Sequence, residues 1–327
     1  MKKIFLVLAF GFFTFFASAQ DVHLSQYYTS DLSLNPAMTG HSLGDFKATL
    51  NYRNQWSQVG GPILTNFLSV EKKIHLLKDE IGIGLIVMDD RVSSVNYGIN
   101  KFMLSGAYVK EIHGHRLSWG VQAGLVSYKS GLTSGTFPDQ WNYSQGLFDP
   151  EDMVNGEAGI DGNSSYLDVN SGVYWSKKFG RVTPTVGYSA FHLTRPNQAV
   201  IANGVSLPFR SAFHSEASVK FGTLEFHPHV MYLATSKASN VLYGLNAIKS
   251  IGEHYRVLLG AESRYKDAAI AIFGIGIKEW DLGVSYDFNF SGLSETISQK
   301  TAFEISLTYT HPDKKYPTDF TVPCGIF

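Results

Sequence analysis

The chain has little charge, almost no cysteine, and no long apolar run after its first residues. Of its 327 residues, 17% are charged and the net charge is −1, whereas roughly 25% is usual in soluble domains. That balance leaves no basic surface for nucleic acid or for anionic headgroups, so neither is expected as a main partner. The single cysteine, Cys324, excludes an internal disulfide. No run of about 18 apolar residues follows residue 19, so no transmembrane helix is expected. There is no G-x-S-x-G, H-E-x-x-H or Walker loop. The expectation is a protein that is not an enzyme and holds no cofactor. Gly274-x-Gly276 lies inside a strand-like pattern and reads as close packing, not as a phosphate cradle.

What is abundant is aromatic side chain, at 14%, and glycine, at 31 residues. The mean hydropathy of −0.04 suits a soluble protein, and equally a membrane barrel whose strands alternate apolar and polar residues. Residues 1–19 read as a secretion signal. Lys2 and Lys3 form the charged start, Ile4 to Phe16 the apolar run, and Ala17-Ser18-Ala19 the cleavage site.

From residue 45 the pattern has period two. Phe46, Ala48, Leu50, Tyr52 and Trp56 alternate with Lys47, Thr49, Asn51, Arg53 and Gln55. Leu282, Val284, Tyr286 and Phe288 oppose Asp281, Gly283, Ser285 and Asp287, and Phe303, Ile305 and Leu307 oppose Ala302, Glu304 and Ser306. About fourteen such segments run to residue 310, most of 10–15 residues. A soluble strand averages about 5–6 residues, while a tilted membrane strand needs about 9–11. The connections alternate as well. Those near 76–80, 113–115, 179–180, 222–223 and 252–253 are short, and 129–163, 194–207 and 291–299 are the longest in the chain. Short periplasmic turns and longer surface loops are the habit of outer-membrane barrels. The fold class expected is all-β, a transmembrane antiparallel barrel of about 14 strands. A secreted β-sandwich is disfavoured by strand length and by this alternation. Trp56, Trp119, Tyr128, Trp175, Tyr188, Tyr265, Trp280 and Tyr309 sit near segment ends, as interface girdles would.

The expected organisation is a signal over 1–19, a periplasmic arm over 20–44, a barrel over 45–311 and a tail over 312–327. In the arm, Asn35-Pro36 and Gly40 are turn formers. It is either an ordered loop or a plug or docking segment. Inside the barrel, Lys47, Arg53, Asp168, Glu216, Lys220, Arg256, Glu262, Arg264, Asp281, Asp287 and Glu304 share the inner face. They either pair across a filled interior or line a channel. His227-x-His229 with Glu225 would suit a metal, but a wet lumen also accepts histidines, and no metal site is assigned. Asp149, Glu151, Asp152, Glu157 and Asp161 form an acidic surface loop without EF-hand spacing.

Two stretches carry a resemblance. The arm reads Ser25-Gln26-Tyr27 followed by Leu34-Asn35-Pro36-Ala37 and Gly40, and the first strand ends in Tyr52-Arg53-Asn54-Gln55-Trp56. With Tyr286-Asp287-Phe288-Asn289 and Ala302-Phe303-Glu304-Ile305 before a Pro-Cys tail, the chain resembles the PorP/SprF family of Bacteroidetes type IX secretion. The tail departs from the family's Pro-Cys-Pro-Arg-Phe, reading Pro323-Cys324-Gly325-Ile326-Phe327.

The resemblance implies a barrel similar to the long-chain fatty-acid transporters (FadL-like), in the outer membrane of a Gram-negative bacterium. Its expected partners are outer-membrane lipid, periplasmic type IX components and the C-terminal domain of a secreted cargo such as a gliding adhesin. The surface contact then falls on the two long loops, at Phe137, Trp141, Tyr143, Phe148, Asp149 and Arg195. Asn35, Pro36, Gly40, Tyr52, Arg53, Gln55 and Trp56 are the family-motif residues of the arm and first strand. A transport channel for a hydrophobic or small polar solute is the alternative.

Overall fold

The computed structural model describes residues 24–42, 44–56, 61–76, 79–92, 97–131, 140–148, 162–197, 206–236, 238–290 and 301–312. The signal segment, Phe137, Asp149, most of the acidic loop and the tail beyond Pro312 fall outside the described residues, while Pro312 itself ends the last strand opposite Gly44.

Fourteen strands close into one antiparallel barrel. They are β1 (Gly44–Gln55), β2 (Ile63–Leu76), β3 (Asp79–Val92), β4 (Tyr97–Ile112), β5 (His115–Ser130), β8 (Gly162–Lys177), β9 (Val182–Phe191), β10 (Arg210–Phe221), β11 (Leu224–Thr235), β12 (Ser239–Ile251), β13 (Tyr255–Arg264), β14 (Ala268–Ile277), β15 (Trp280–Asn289) and β16 (Thr301–Pro312). Strands adjacent in sequence pair round the wall, and β1 pairs with β16 to close it. Between β5 and β8 lies a separate small hairpin, β6 (Trp141–Asn142) with β7 (Leu147–Phe148). Closure leaves the barrel without an open sheet edge, which hydrocarbon requires.

The period-two pattern resolves into two chemically opposite faces. Outward residues are apolar and uncovered: Leu104, Leu125 and Leu259 are each 60% exposed and Trp119 is 57% exposed. A soluble surface does not carry such a continuous apolar band. A ten-residue strand at ~3.3 Å per residue, tilted by ~40°, spans about 25 Å, the height of an outer-membrane apolar belt. No helix among the described residues is long and apolar enough to cross a membrane; the crossing elements are strands.

One girdle assignment changes. Tyr128 faces the lumen, buried and stacked on Tyr166 at 5.7 Å, because its place in β5 has inward parity. Trp119, Tyr188, Tyr265 and Trp280 do stand outward.

The barrel has a long-loop end and a short-turn end. Residues 113–114, 222–223, 252–254 and 278–279 turn tightly at the short end. His113, Gly114, Gly222, Gly252 and Lys278 take positive φ there.

The segment expected as a periplasmic arm is folded inside the barrel instead. Residues 24–42 fill the lumen as two 3-10 turns, Tyr27–Thr29 and Pro36–Met38, flanking a single helical turn, α1 (Asp31–Leu34). Nearly all of these residues are buried, including Tyr27, Tyr28, Leu32, Ala37 and Met38. So short an arm makes no core of its own and reaches burial only by entering the barrel.

Candidate functional site

The plug runs the height of the lumen. Its first residues meet strand ends near the long loops, and its last residues leave beside the short turns, where β1 begins. Each end is pinned by buried ion pairs.

At the long-loop end the anchors come from both sides of the closing seam. Arg53 of β1 and Glu304 of β16 lie directly opposite in register. The Arg53 guanidinium donates to Glu304 Oε2 at 3.1 Å and to Asp287 Oδ2 at 2.9 Å, and Arg264 reaches Asp287 at 3.4 Å. The plug docks onto this cluster. The backbone N–H groups of Ser25 and Gln26 donate to Glu304 at 2.7 and 2.9 Å, and Ser25 Oγ donates to Asp287 at 2.7 Å. A carboxylate receiving several donors in a desolvated site is held far more firmly than a surface ion pair.

At the short-turn end, Lys47 Nζ lies 2.8 Å from Asp31 of the plug and 3.8 Å from Glu71 of β2. Glu71 accepts the Gly40 N–H at 2.6 Å, and Lys73 donates to the Ser42 carbonyl at 2.8 Å. His41 is fully buried beside the Tyr174 ring at 4.6 Å. Burial holds its imidazole well below the usual histidine range, and the positive charges of Arg116 and Lys73 push the same way.

The middle is held by polar wall groups and by glycine. Asn35 caps the second 3-10 turn by accepting the Ala37 N–H at 2.9 Å, and Pro36 starts that turn. The Asn35 amide also donates to the Val173 carbonyl at 3.0 Å and meets His214 Nε2 at 3.1 Å. Ser189 donates to the Leu34 carbonyl at 2.7 Å, and Ser118 donates to that of Ala37. The plug's backbone lies so close to the wall that several inward positions admit no side chain. A Cβ on Gly82 would sit 1.9 Å from the Thr39 carbonyl oxygen, and one on Gly172 2.0 Å from Asn35 Oδ1. Gly84, Gly120 and Gly283 stand against Leu32, Pro36 and Gln26 in the same way. Glycine inside a strand marks such an approach.

The motif residues therefore divide. Asn35, Pro36 and Gly40 shape the plug, and Arg53 anchors it. Tyr52 points to the outer face, 39% exposed, and Gln55 is half-buried at the strand end. Trp56 turns the chain at φ 55°, its N–H donating to the Thr301 carbonyl at 3.1 Å. Ser25 and Gln26, named above only as part of the family-like arm, hold the plug, as do Glu71 and Lys73, which were not singled out. For Glu71 and Lys73 the signal was the inward parity of their places in β2.

Of the inner-face charges, most pair with each other or with the plug. Arg256 meets Asp281 at 2.6 Å, and Lys220, half-exposed, lies 3.8 Å from Glu225. His227 bridges Glu216 at 2.8 Å and Glu225 at 3.2 Å, and His229 lies 3.3 Å from Glu262. Among the described residues no cluster of histidine, cysteine and carboxylate is arranged to hold a metal.

Above the plug, in the long-loop half of the lumen, lies a cavity of roughly 100 Å³. Leu24, Tyr27 and Leu34 of the plug form its floor; Phe67, Met88, Met103 and Met231 stand in its walls. Outside the barrel, the β6–β7 hairpin joins Trp141 to Phe148 edge to face at 4.9 Å, and Tyr143 at its turn is 89% exposed. Arg195 lies in the connection after β9, exposed, with φ 43°.

A closed barrel with a lipid-facing belt and an anchored lumenal plug defines a plugged membrane β-barrel. The chain matches the family described as type IX secretion system membrane protein PorP/SprF over residues 16–309, and it belongs to that family. Among the curated proteins, none matches the chain in sequence. Solved structures share the architecture at low identity. The Ralstonia pickettii toluene transporter TbuX aligns with a TM-score of 0.53 and 9% identity, over 86% of this chain and 93% of that one. The CymD monoaromatic hydrocarbon channel aligns at 0.50 and 10%, over 87% and 93%. A Pseudomonas aeruginosa FadL homologue aligns at 0.48 and 12%, over 84% and 92%. At these identities the likeness to TbuX and CymD is one of fold alone.

Proposed function

We propose that the protein is a non-enzymatic outer-membrane component of type IX secretion that assists export or surface anchoring of a cargo protein, such as a gliding adhesin, through the cargo's C-terminal domain. Family membership over residues 16–309 carries this reading. The plug supports it against the alternative of a solute channel. A path through the lumen would have to strip the Ser25 and Gln26 hydrogen bonds from Glu304 and Asp287 and break the Lys47–Asp31 ion pair, all of them desolvated.

With short turns in the periplasm, the long-loop end faces the cell surface. Trp141, Tyr143, Phe148 and Arg195 then belong to the cargo-facing side, with Phe137 and Asp149 in the same connections. Because residues 24–42 are enclosed, they are not the contact for periplasmic type IX components; among the described residues the short turns are the surface left for them. The expected setting is the outer membrane of a Bacteroidetes-type bacterium, reached by a signal over residues 1–19.

The test is to purify the barrel from outer membranes in mild detergent and identify what accompanies it, with and without residues 131–161. A surface protein held through its C-terminal domain and lost with the loop is the expected result. A barrel that reproducibly purifies alone and conducts solute in planar bilayers would replace this reading with the channel.

A further inference from the structure

The lipid-facing wall is not uniform. On the outer face of β4, β5, β8 and β9 the side chains form a groove of about 460 Å³. Strand register explains it. Trp119, Val173 and Tyr188 lie side by side across three strands, and the valine between two rings leaves a trough. One row nearer the short turns stand Lys110, Leu117, Trp175 and Val186. In the next row His115 is paired with Lys177. The groove therefore runs from the apolar belt down to a polar edge.

That edge holds one donor too many. The Trp175 indole N–H lies 3.0 Å from His115 Nδ1, and Lys177 Nζ lies 2.7 Å from His115 Nε2. Both neighbours of the ring are donors. A neutral imidazole accepts at one nitrogen only, and a protonated one at neither. The indole is fixed by its packing in the row above, whereas the lysine stem is flexible. His115 accordingly accepts from Trp175 and carries its proton on Nε2. An imidazole N–H and an ammonium then stand side by side with no acceptor between them. Among the described residues no carboxylate lies within ion-pair distance of Lys177, whose other contact is the Phe179 ring at 5.3 Å.

Charge along the same rim has one sign. Near the short turns, the lipid-facing strand positions carry Lys72, Lys110, Lys177 and Lys249 against one carboxylate among the described residues, Asp79. Asp79 is already taken by Lys110, at 2.7 Å. An acidic soluble protein would meet this edge and leave the trough above it uncovered. A molecule that is anionic at one end and apolar beyond it covers both, and the short-turn end places it in the periplasmic leaflet. We propose that the groove is a site for one anionic phospholipid, its phosphate accepting from Lys177 and His115 and an acyl chain lying along Val173 and Val186 between the aromatic rings. The site stands apart from the secretion reading and needs only the placement of the barrel in a membrane.

The experiment adds dioleoyl phosphatidylglycerol, or phosphatidylcholine with the same chains, to the full chain folded in mild detergent, and follows retained lipid by native mass spectrometry. Wild type should retain one phosphatidylglycerol in preference to phosphatidylcholine, whose choline brings a further cation to a positive rim. Lys177→Gln should raise the phosphatidylglycerol concentration required about tenfold, the order carried by a hydrogen bond to a charged group, and Lys177→Arg should restore much of the binding. Lys249→Gln, on β12 and away from the groove, should change nothing. Val173→Trp should fill the trough and weaken retention with every charge in place; Val173→Leu is the milder variant should the larger ring disturb the wall. Equal losses from Lys177→Gln and Lys249→Gln would overturn the site in favour of a general basic collar. Equal retention of the two lipids would also overturn it. Displacement of the lipid by inorganic phosphate at the same concentration would leave an ion site in its place. A periplasmic protein that accompanies wild type and is lost with Lys177→Gln, while lipid retention stays unchanged, would assign the edge to a protein instead.

Discussion

Arg53 and Glu304 face each other across the one seam joining the first strand to the last, 3.1 Å apart, and Glu304 also receives two backbone N–H groups of the plug. Barrel closure and plug docking therefore share a carboxylate. Glu304→Ala would leave the Arg53 guanidinium buried beside fewer partners. It should destabilise the folded barrel by about 3–5 kcal/mol, the usual cost of breaking a buried pair. Replacing both, as Arg53→Met with Glu304→Leu, should cost less than the sum of the single changes, because neither group strands the other and Asp287 keeps Arg264 at 3.4 Å. Urea midpoints of the heat-modifiable band on gels would show this. Strictly additive losses would mean that the two groups do not act together.

Gly172 tests the close fit of the plug. A methyl group there meets Asn35 Oδ1 at 2.0 Å. Gly172→Ala should displace the middle of the plug while the wall strands still pair. The expected signature is faster protease cleavage within residues 24–42 and a measurable bilayer conductance. Deleting residues 24–42 should raise conductance further. If the deletion leaves the bilayer as tight as wild type, the plug is not what closes the lumen.

His41 should make plug docking dependent on pH. Its imidazole is neutral when docked, because burial and the nearby Arg116 and Lys73 disfavour the charged form. Released, it would titrate near the unperturbed value of about 6.5. The undocked state then binds more protons below that pH. The stabilisation is complete above about 6.5 and is lost as the pH falls. Hydrogen exchange of plug amides should accelerate on acidification from pH 7.5 to 5.5, and His41→Phe should flatten that response. An equal acceleration in the variant would assign the effect to other groups.

The surface hairpin should be a separable unit. Trp141→Ala removes the ring contact with Phe148, worth roughly 0.5–1.5 kcal/mol beyond burial. It should loosen residues 140–148 to proteolysis and reduce cargo retention, leaving the barrel midpoint unchanged. Tyr143→Ala should reduce retention alone. A fall in barrel stability with Trp141→Ala would tie the hairpin to the wall.

Much of the fold was legible in the residues because hydrocarbon and a filled lumen demand opposite side chains at alternate positions. Leu282, Val284 and Tyr286 against Asp281, Ser285 and Asp287 state both faces of one strand in six residues. Many of the inner charges, Arg53 and Glu304 among them, were readable from parity, while Glu71 and Lys73 of β2 and Asp90 of β3 share the inner face and were not singled out. Tyr128 was misread because aromatic character near a strand end says nothing about parity; its register in β5 turns it inward. The plug was less legible. Its Asn35-Pro36 and Gly40 announce turns, and turns occur as readily in a free arm as in a buried one.

What the sequence by itself determined is the number of strands, their two faces, the alternation of short and long connections, and the turn chemistry of the first forty residues. These follow from local rules: period two, glycine and proline at turns, and the length a strand needs to cross a membrane. Only the tertiary structure decided that the arm lies within the lumen, that Arg53 pairs with Glu304 some 251 positions away, and that a chamber remains above the plug. Those relations depend on which inward positions meet across a closed wall. Closure sets that by register around the whole ring, and no local pattern in the chain contains it.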